Sequence, residues 1–468
     1  MQYAALALIL VISGGLRALG AVGDLWLDEL WSLRFALGAE NMWDILVGIH
    51  HDNNHWLNTI YLWLVGETDR LFLYRGLAVL TGVGTVLVTM AGSMQKGLGS
   101  AVTAGTLLGF SYILIHFQSE ARGYGPAIFF GVCAFFALER YLKEKRLLFG
   151  AAYAASSTLA ILSQLTFLWI FAGLAAWSWA AGRLASDTFT PSGGKHPMTE
   201  WFGLHLIPGL MVLFLLLFDV RHWTIGGSHP NPTGTALESL TRFGTGVVGP
   251  SWLVATIGLA LMAIMIGEVL KMMKRSDPRA AFFVVSVFLG PAAFILLLNL
   301  PFLYPRYLVV SVPFALLLLA QPLDRLRRRR GGGRAIWATI LVLFVILNVS
   351  STWSLMTNGR GQYQAALSYI LESSEEAEVM VALSAETPQE SIIAFYANRI
   401  EGGERLMTVS VDEADVPASW LLVQRMGGAI GPAQTSLPLD GHRFVFQKRF
   451  PHSGPSGWTW DIYHLGNR

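Results

Sequence analysis

Long apolar runs dominate the chain. Segments almost free of charge cover residues 4–22, 71–91, 101–117, 125–141, 147–163, 166–182, 201–218, 252–270, 280–298, 307–321 and 335–355. A helix that crosses a bilayer needs roughly 17–25 predominantly apolar residues, so several of these sit at the short end. They predict a polytopic helical membrane protein with about eleven transmembrane helices. The tightest division falls at Gln164, where two spans must be joined by a very short turn. Beyond residue 355 the pattern changes. Helical spacing over 361–375, a strand over 377–383 and strand-like runs at 419–425, 442–450 and 458–465 predict a small α/β domain. Thr387-Pro388-Gln389-Glu390 reads as a capping box with proline at the first helical position, opening a helix to about Arg399. The expected domains are therefore 1–355 and 356–468.

The connection after the first span, residues 23–70, is long for a linker and has its own pattern. Leu30, Leu33 and Leu37 recur at helical spacing, Gly38 can end that helix, and Asn41 can cap a second one containing Trp43, Ile45, Leu46 and Ile49. The apolar piece 56–65 is too short to span. Few charges and a weak polar face suggest helices lying along the membrane surface.

Composition agrees with the pattern. Of 468 residues, 53% are hydrophobic and only 14% charged, where a soluble protein carries about 25%. The net charge of +2 offers no field for a nucleic acid or another polyanion. Cys133 is the only cysteine, which excludes an intrachain disulfide. Residues 1–22 lack the basic cluster and cleavage site of a signal peptide, so they read as a retained first span.

Charge orients the spans. Alternate connections hold Lys96; Lys143, Lys145 and Arg146; Arg183 and Lys195; Lys271, Lys274, Arg275 and Arg279; and Arg325, Arg327, Arg328, Arg329, Arg330 and Arg334. The positive-inside rule makes these cytoplasmic. The first connection, those around 118–124, 219–251 and 299–306, and the tail after 355 then lie outside.

The candidate chemistry falls in that outer set. Asp28-Glu29 sits between Trp26 and Trp31 just past the first span. Carboxylates are costly at a membrane boundary, whether they cap an interfacial turn or do chemistry. His50-His51-Asp52-Asn53-Asn54-His55 follows. It has no His-x-x-x-His spacing on a clear helix, so contact with substrate by His51, Asn54 and His55 fits better than a structural metal. His116, Gln118, Ser119, Glu120, Arg122 and Tyr124 crowd the next outer turn. Glu120 and Arg122 read either as an ion pair between helix ends or as an acceptor-side carboxylate and an anion ligand. Tyr304-Pro305-Arg306-Tyr307 sets one arginine between phenols, and Arg17 lies near the outer end of the first span. Arginine's planar fork suits phosphate, and it stays charged. The loop 219–251, with Asp219, Arg221, His222, Trp223 and His229, is expected to cover the site as a flexible loop. Asp412-Glu413-Ala414-Asp415 matches a helicase tetrapeptide in letters only, since the chain has no Gly-rich phosphate loop with Lys-Ser/Thr.

These features together resemble the GT-C glycosyltransferases, in particular the bacterial relatives of protein O-mannosyltransferases and of the aminoarabinose transferase of lipid A. The shared features are Asp28-Glu29 after the first span, Glu120-Ala121-Arg122-x-Tyr124 opening the fourth, a late Arg306-Tyr307 and a C-terminal domain. One departure is Asn53-Asn54-His55-Trp56-Leu57, where many relatives carry a proline pair. The resemblance implies a sugar moved from a polyprenyl phosphate to an acceptor hydroxyl of a glycan, lipid or protein, outside the bacterial plasma membrane and with inversion. It implies Asp28 as general base, Glu29 and Glu120 as supporting catalytic carboxylates, and Arg122, Arg306, Tyr124, Tyr307 and Arg17 around the donor phosphate. No cofactor is indicated and a divalent metal is left open. A carrier or flippase for a lipid-linked sugar is the alternative. It predicts broken helices in matching halves and charges near midplane, whereas these charges lie at outer helix ends. A structural scaffold ranks third.

Overall fold

The structure, a computed structural model, describes residues 3–186, 197–224, 233–298, 304–384, 386–411, 418–425, 431–439 and 442–466. Lys195, His229 and the tetrapeptide 412–415 lie outside the described residues.

Among the described residues, 8 helices are long and apolar enough to cross a membrane: Gly76–Met94, Tyr124–Glu144, Leu165–Leu184, Met198–His222, Ser251–Lys274, Arg279–Leu296, Pro305–Arg328 and Gly333–Asn358. The other three expected segments are helical but shorter. Ala4–Gly20 and Leu147–Ser163 have 17 residues each, and Leu98–Phe110 has 13. The last is cut at Ser111, whose extended backbone (ψ 118°) starts a second short helix, Tyr112–Phe117. Gln164 is also extended (φ −163°, ψ 124°), and a single 3₁₀ turn, Leu165–Phe167, makes the tight join there. Leu206, Leu210, Leu213 and Leu217 form an exposed ridge on one helix, a face that suits lipid and not water. The chain is an integral membrane protein.

The chain divides into two compact units. The first comprises Met1–Ala21, Phe35–Glu67 and Leu73–Thr352. Its core joins large side chains such as Phe135, Trp177, Phe282 and Phe314 across several helices. Helices approach closely where glycine allows it: a Cβ on Gly125 would sit 3.1 Å from the Ala78 Cα. The first loop forms helices Met42–Val47 and Trp56–Val65 here, and Asn41 caps the first of them in a reciprocal capping box with Asp44. In the 219–251 connection, residues 233–245 form a helix, Thr233–Thr245, where an irregular loop was expected. Its Phe243 ring packs on Tyr112, and the Gly244 carbonyl accepts from Ser111 Oγ.

The second unit comprises Val22–Arg34, Thr68–Phe72 and Trp353–Arg468. It is an α/β unit with strands β1 Val379–Leu383, β2 Leu406–Ser410, β3 Trp420–Arg425, β4 Ser436–Leu439, β5 His442–Phe450 and β6 Thr459–Leu465. The sheet order is β2-β1-β3-β6-β5-β4, with β1 parallel to β2 and β3 and the remaining pairs antiparallel. Helix Tyr363–Glu372 lies against it through Tyr363 on Trp460 and Tyr369 on Phe450. Helix Glu386–Ala397 begins just before the expected cap at Thr387, whose side chain is not among those described. The two strands with no clear sequence signal, β2 and β4, are the sheet edges. Neither alternates cleanly, and Pro438 in β4 suits an edge.

Candidate active site

In the first unit four of the five expected donor-side residues, Arg122, Tyr124, Arg306 and Tyr307, gather in one place. The chain reaches Arg122 through a turn that only glycine fits: a Cβ on Gly123 would fall 1.8 Å from the Ser163 carbonyl oxygen. That packing brings the turn against the Gln164 join and the end of the first loop. Arg122 Nη2 donates to Asn53 Oδ1 at 2.5 Å and to His55 Nε2 at 3.0 Å. A guanidinium can only donate, so His55 Nε2 is the acceptor and its proton sits on Nδ1. The His55 ring also hydrogen-bonds the Gln164 side chain. Burial, then the positive charges of Arg122 and Arg306, hold His55 well below the ordinary histidine value. His55 is thus a neutral acceptor that orients the arginine.

Arg306 opens the helix turn Pro305–Leu308, with its guanidinium 4.4 Å from the Tyr304 ring centroid and 5.6 Å from that of Tyr307. Tyr124 is buried, lies 5.2 Å under the Arg122 guanidinium and shares the fields of Arg306, Tyr307 and Glu120. Glu120 is fully buried, 3.9 Å from His116 Nε2. Tyr307 packs on Phe294, which packs on Trp169, so an aromatic wall runs from the arginines along the helices. Two cations, an acidic group and phenols at the rim of an apolar wall form a setting in which an anionic headgroup and an apolar tail can be held together.

Three other expected contacts have partners within the protein. Arg17 is fully buried, and all five of its N–H groups are used: on Gln118 Oε1 twice, and on the carbonyls of Ser13, Gly109 and Leu108. It has none left for a phosphate, and it satisfies carbonyls exposed by the break at Ser111. Asn54 donates to the Ile45 and Ile49 carbonyls and accepts from Thr59, which ties the two loop helices together. His51 accepts from the Asn53 N–H and lies 3.1 Å from Asp52. Among the described residues no group of three or more His, Cys, Asp or Glu is placed to hold a metal ion. One residue in this unit that the sequence left as a loop position is Asp219. It is fully buried and binds both His50 and Trp56.

Asp28 and Glu29 belong to the second unit, in the first turn of helix Leu27–Gly38. Glu29 Oε2 accepts from the Trp26 N–H at 3.2 Å, the carboxylate half of a capping box. Asp28, 8% exposed, sits where the helix dipole favours a negative charge. The segment leading to it is clamped. Tyr396 OH accepts from the Leu25 N–H at 2.6 Å and donates to the Leu25 carbonyl at 3.0 Å. Asp24 accepts from the backbone and side chain of Gln364 at 2.8 and 2.9 Å. Burial raises the pKa of the Tyr363 phenol, and the nearby Asp24, Glu29 and Asp28 push the same way. These anchors come from the C-terminal part of the chain, too distant in sequence for any spacing to reveal them.

No protein-family model and no curated protein sequence matches the chain. Solved structures do. ArnT from Cupriavidus metallidurans bound to undecaprenyl phosphate superposes with a TM-score of 0.52 at 12% identity, covering 90% of this chain and 93% of its own. Its apo state gives 0.51 at 12%, covering 89% and 92%. An Archaeoglobus fulgidus oligosaccharyltransferase tethered to an acceptor peptide gives 0.45 at 12%, covering 87% and 64%. The likeness to ArnT runs over nearly the whole of both chains, and at this identity it establishes the fold: a polytopic helical membrane protein of GT-C architecture with a C-terminal α/β domain.

Proposed function

We propose that the protein is a membrane glycosyltransferase that moves a sugar from a polyprenyl-phosphate donor to an acceptor hydroxyl outside the cytoplasm, with inversion. The observation that carries this reading is the pairing of Arg122 and Arg306 with His55, Tyr124 and Tyr307 beside an aromatic wall. It occurs in a fold shared with a protein solved with undecaprenyl phosphate bound. When the sugar leaves its donor, negative charge grows on the phosphate, and two arginines meet that charge as it develops. The phenols of Tyr124 and Tyr307 flank the arginines and limit their movement. Asp28 accepts the proton of the acceptor hydroxyl as general base, a role that rests on the motif it shares with the family. Glu29, engaged in capping, holds the geometry of Asp28; Glu120 fixes the arginine turn or the acceptor. The acceptor is a glycan, lipid or protein hydroxyl, and the distribution of basic connections supports the outer side for this chemistry.

Arginine-to-lysine changes test the phosphate role, because lysine keeps the charge and loses the fork. Arg122→Lys and Arg306→Lys should each weaken binding of undecaprenyl phosphate to the purified protein by about tenfold, the loss of one charge-assisted hydrogen bond. Unchanged affinity in both variants would remove the arginines from the donor site.

A further inference from the structure

Within the span Met198–His222, Asp219 stands at the junction between the α-helical part, which ends at Phe218, and a 3₁₀ turn, Val220–His222, and its carboxylate is completely buried. A buried carboxylate is retained only where donors satisfy it. Here each oxygen has one: His50 Nδ1 lies 2.7 Å from Oδ1, and Trp56 Nε1 donates to Oδ2 at 2.8 Å. Those donors stand at the two ends of the segment 50–56, which carries Asn53 and His55 between them. Asn53 and His55 are the side chains that accept from Arg122 Nη2. The same end of the segment is stitched by backbone, with the Thr224 N–H donating to the His50 carbonyl at 3.2 Å. Trp223 packs on Trp56, with ring centroids 5.7 Å apart.

We propose that Asp219 is a positioning residue for the donor phosphate: it closes the segment 50–56 into a fixed arch whose two inner side chains aim Arg122. This rests on the reading of Arg122 as a phosphate ligand. The arch explains why a carboxylate is buried far in sequence from every motif residue. It also explains why the polar run from His50 to Asn54 contains side chains engaged with the protein itself. Asparagine at 219 keeps one acceptor oxygen, for Trp56, and holds His50 only if the imidazole changes tautomer to accept from the amide; alanine releases both.

The test uses the purified full-length protein and undecaprenyl phosphate as the probe, with affinity read by native mass spectrometry or thermophoresis. Asp219→Asn should weaken binding by about tenfold and Asp219→Ala by more, because displacing a ligating group by an ångström has large effects. Trp56→Phe, which removes one donor and keeps the ring, should give a smaller loss in the same direction, and it serves if the Asp219 variants do not fold. In an Arg122→Lys background, Asp219→Asn should add less than about twofold, since residues acting through one contact are not additive. A full tenfold addition in that background, or unchanged affinity in folded Asp219→Asn and Trp56→Phe, would overturn the arch. If Arg122→Lys alone leaves affinity unchanged, the phosphate reading itself fails and the arch's role in positioning falls with it. An effective Arg122→Lys beside silent Asp219 variants would sink the arch and leave the phosphate reading standing.

Discussion

Arg17→Lys separates a phosphate ligand from a structural staple. The Arg17 side chain runs past Gly82, where a Cβ would lie 2.8 Å from its Cδ, and spreads five hydrogen bonds over four acceptors. Lysine has three donors on one point and cannot span the Gln118 side chain and the carbonyls of Ser13, Leu108 and Gly109 together. At least two charge-assisted bonds are lost at about 1.5–3 kcal/mol each, so the change should destabilise the protein by about 3–6 kcal/mol. A thermal melt of the detergent-solubilised protein should show the midpoint falling by several degrees. The affinity of the remaining folded protein for undecaprenyl phosphate should stay within about twofold, because the guanidinium has no N–H to offer a ligand. An unchanged melt together with a tenfold loss of affinity would refute the assignment and return Arg17 to the donor site.

Three further outcomes follow from the same geometry. Asp28→Asn should cut turnover by about 10²-fold or more, the usual scale for a lost general base, with thermal stability changed by less than about 1 kcal/mol; near-normal turnover would move the base elsewhere. His55, held below its ordinary value, stays neutral in the folded protein while the unfolded chain takes up a proton below about pH 6.5. Stability should therefore fall as pH drops from 7.5 to 5, and this fall should be smaller in His55→Gln; parallel curves would show that His55 does not titrate as described. Tyr396→Phe leaves the buried Leu25 N–H without its acceptor and should cost about 1–3 kcal/mol, with turnover reduced more than donor affinity. Equal loss of both would place Tyr396 outside the positioning of Asp28.

Much of the architecture was legible because lipid imposes a coarse rule. Runs of leucine, phenylalanine and valine mark helices wherever they reach spanning length, and the eleven apolar segments all prove helical. The pattern could not show the break at Ser111, which a buried arginine from another helix makes tolerable. Capping chemistry is local, so Gly38 and Asn41 were readable as helix ends from a few residues. Edge strands β2 and β4 carry no buried alternating face and gave no signal. At the candidate site, residue type singled out Arg122, Arg306 and Tyr124, which the fold brings near one another. It could not separate a side chain facing a ligand from one spent on the protein. Arg17 and Asn54 have the right chemistry and are saturated by internal partners. Asp219, Gln164 and Tyr396 act through partners tens to hundreds of positions away. Only folding brings those pairs together.

The proposed donor is a lipid-linked phosphate sugar. Purified protein in detergent, supplied with labelled sugar on a polyprenyl phosphate and with crude cell-envelope acceptors, tests it most directly when a nucleotide sugar is offered in parallel. Transfer should occur from the lipid-linked donor and not from the nucleotide sugar alone. Shortening the prenyl chain should raise KM stepwise with kcat falling less, since each buried CH₂ contributes at most about 0.8 kcal/mol to binding. Efficient transfer from the nucleotide sugar, with lipid phosphate removed, would contradict it.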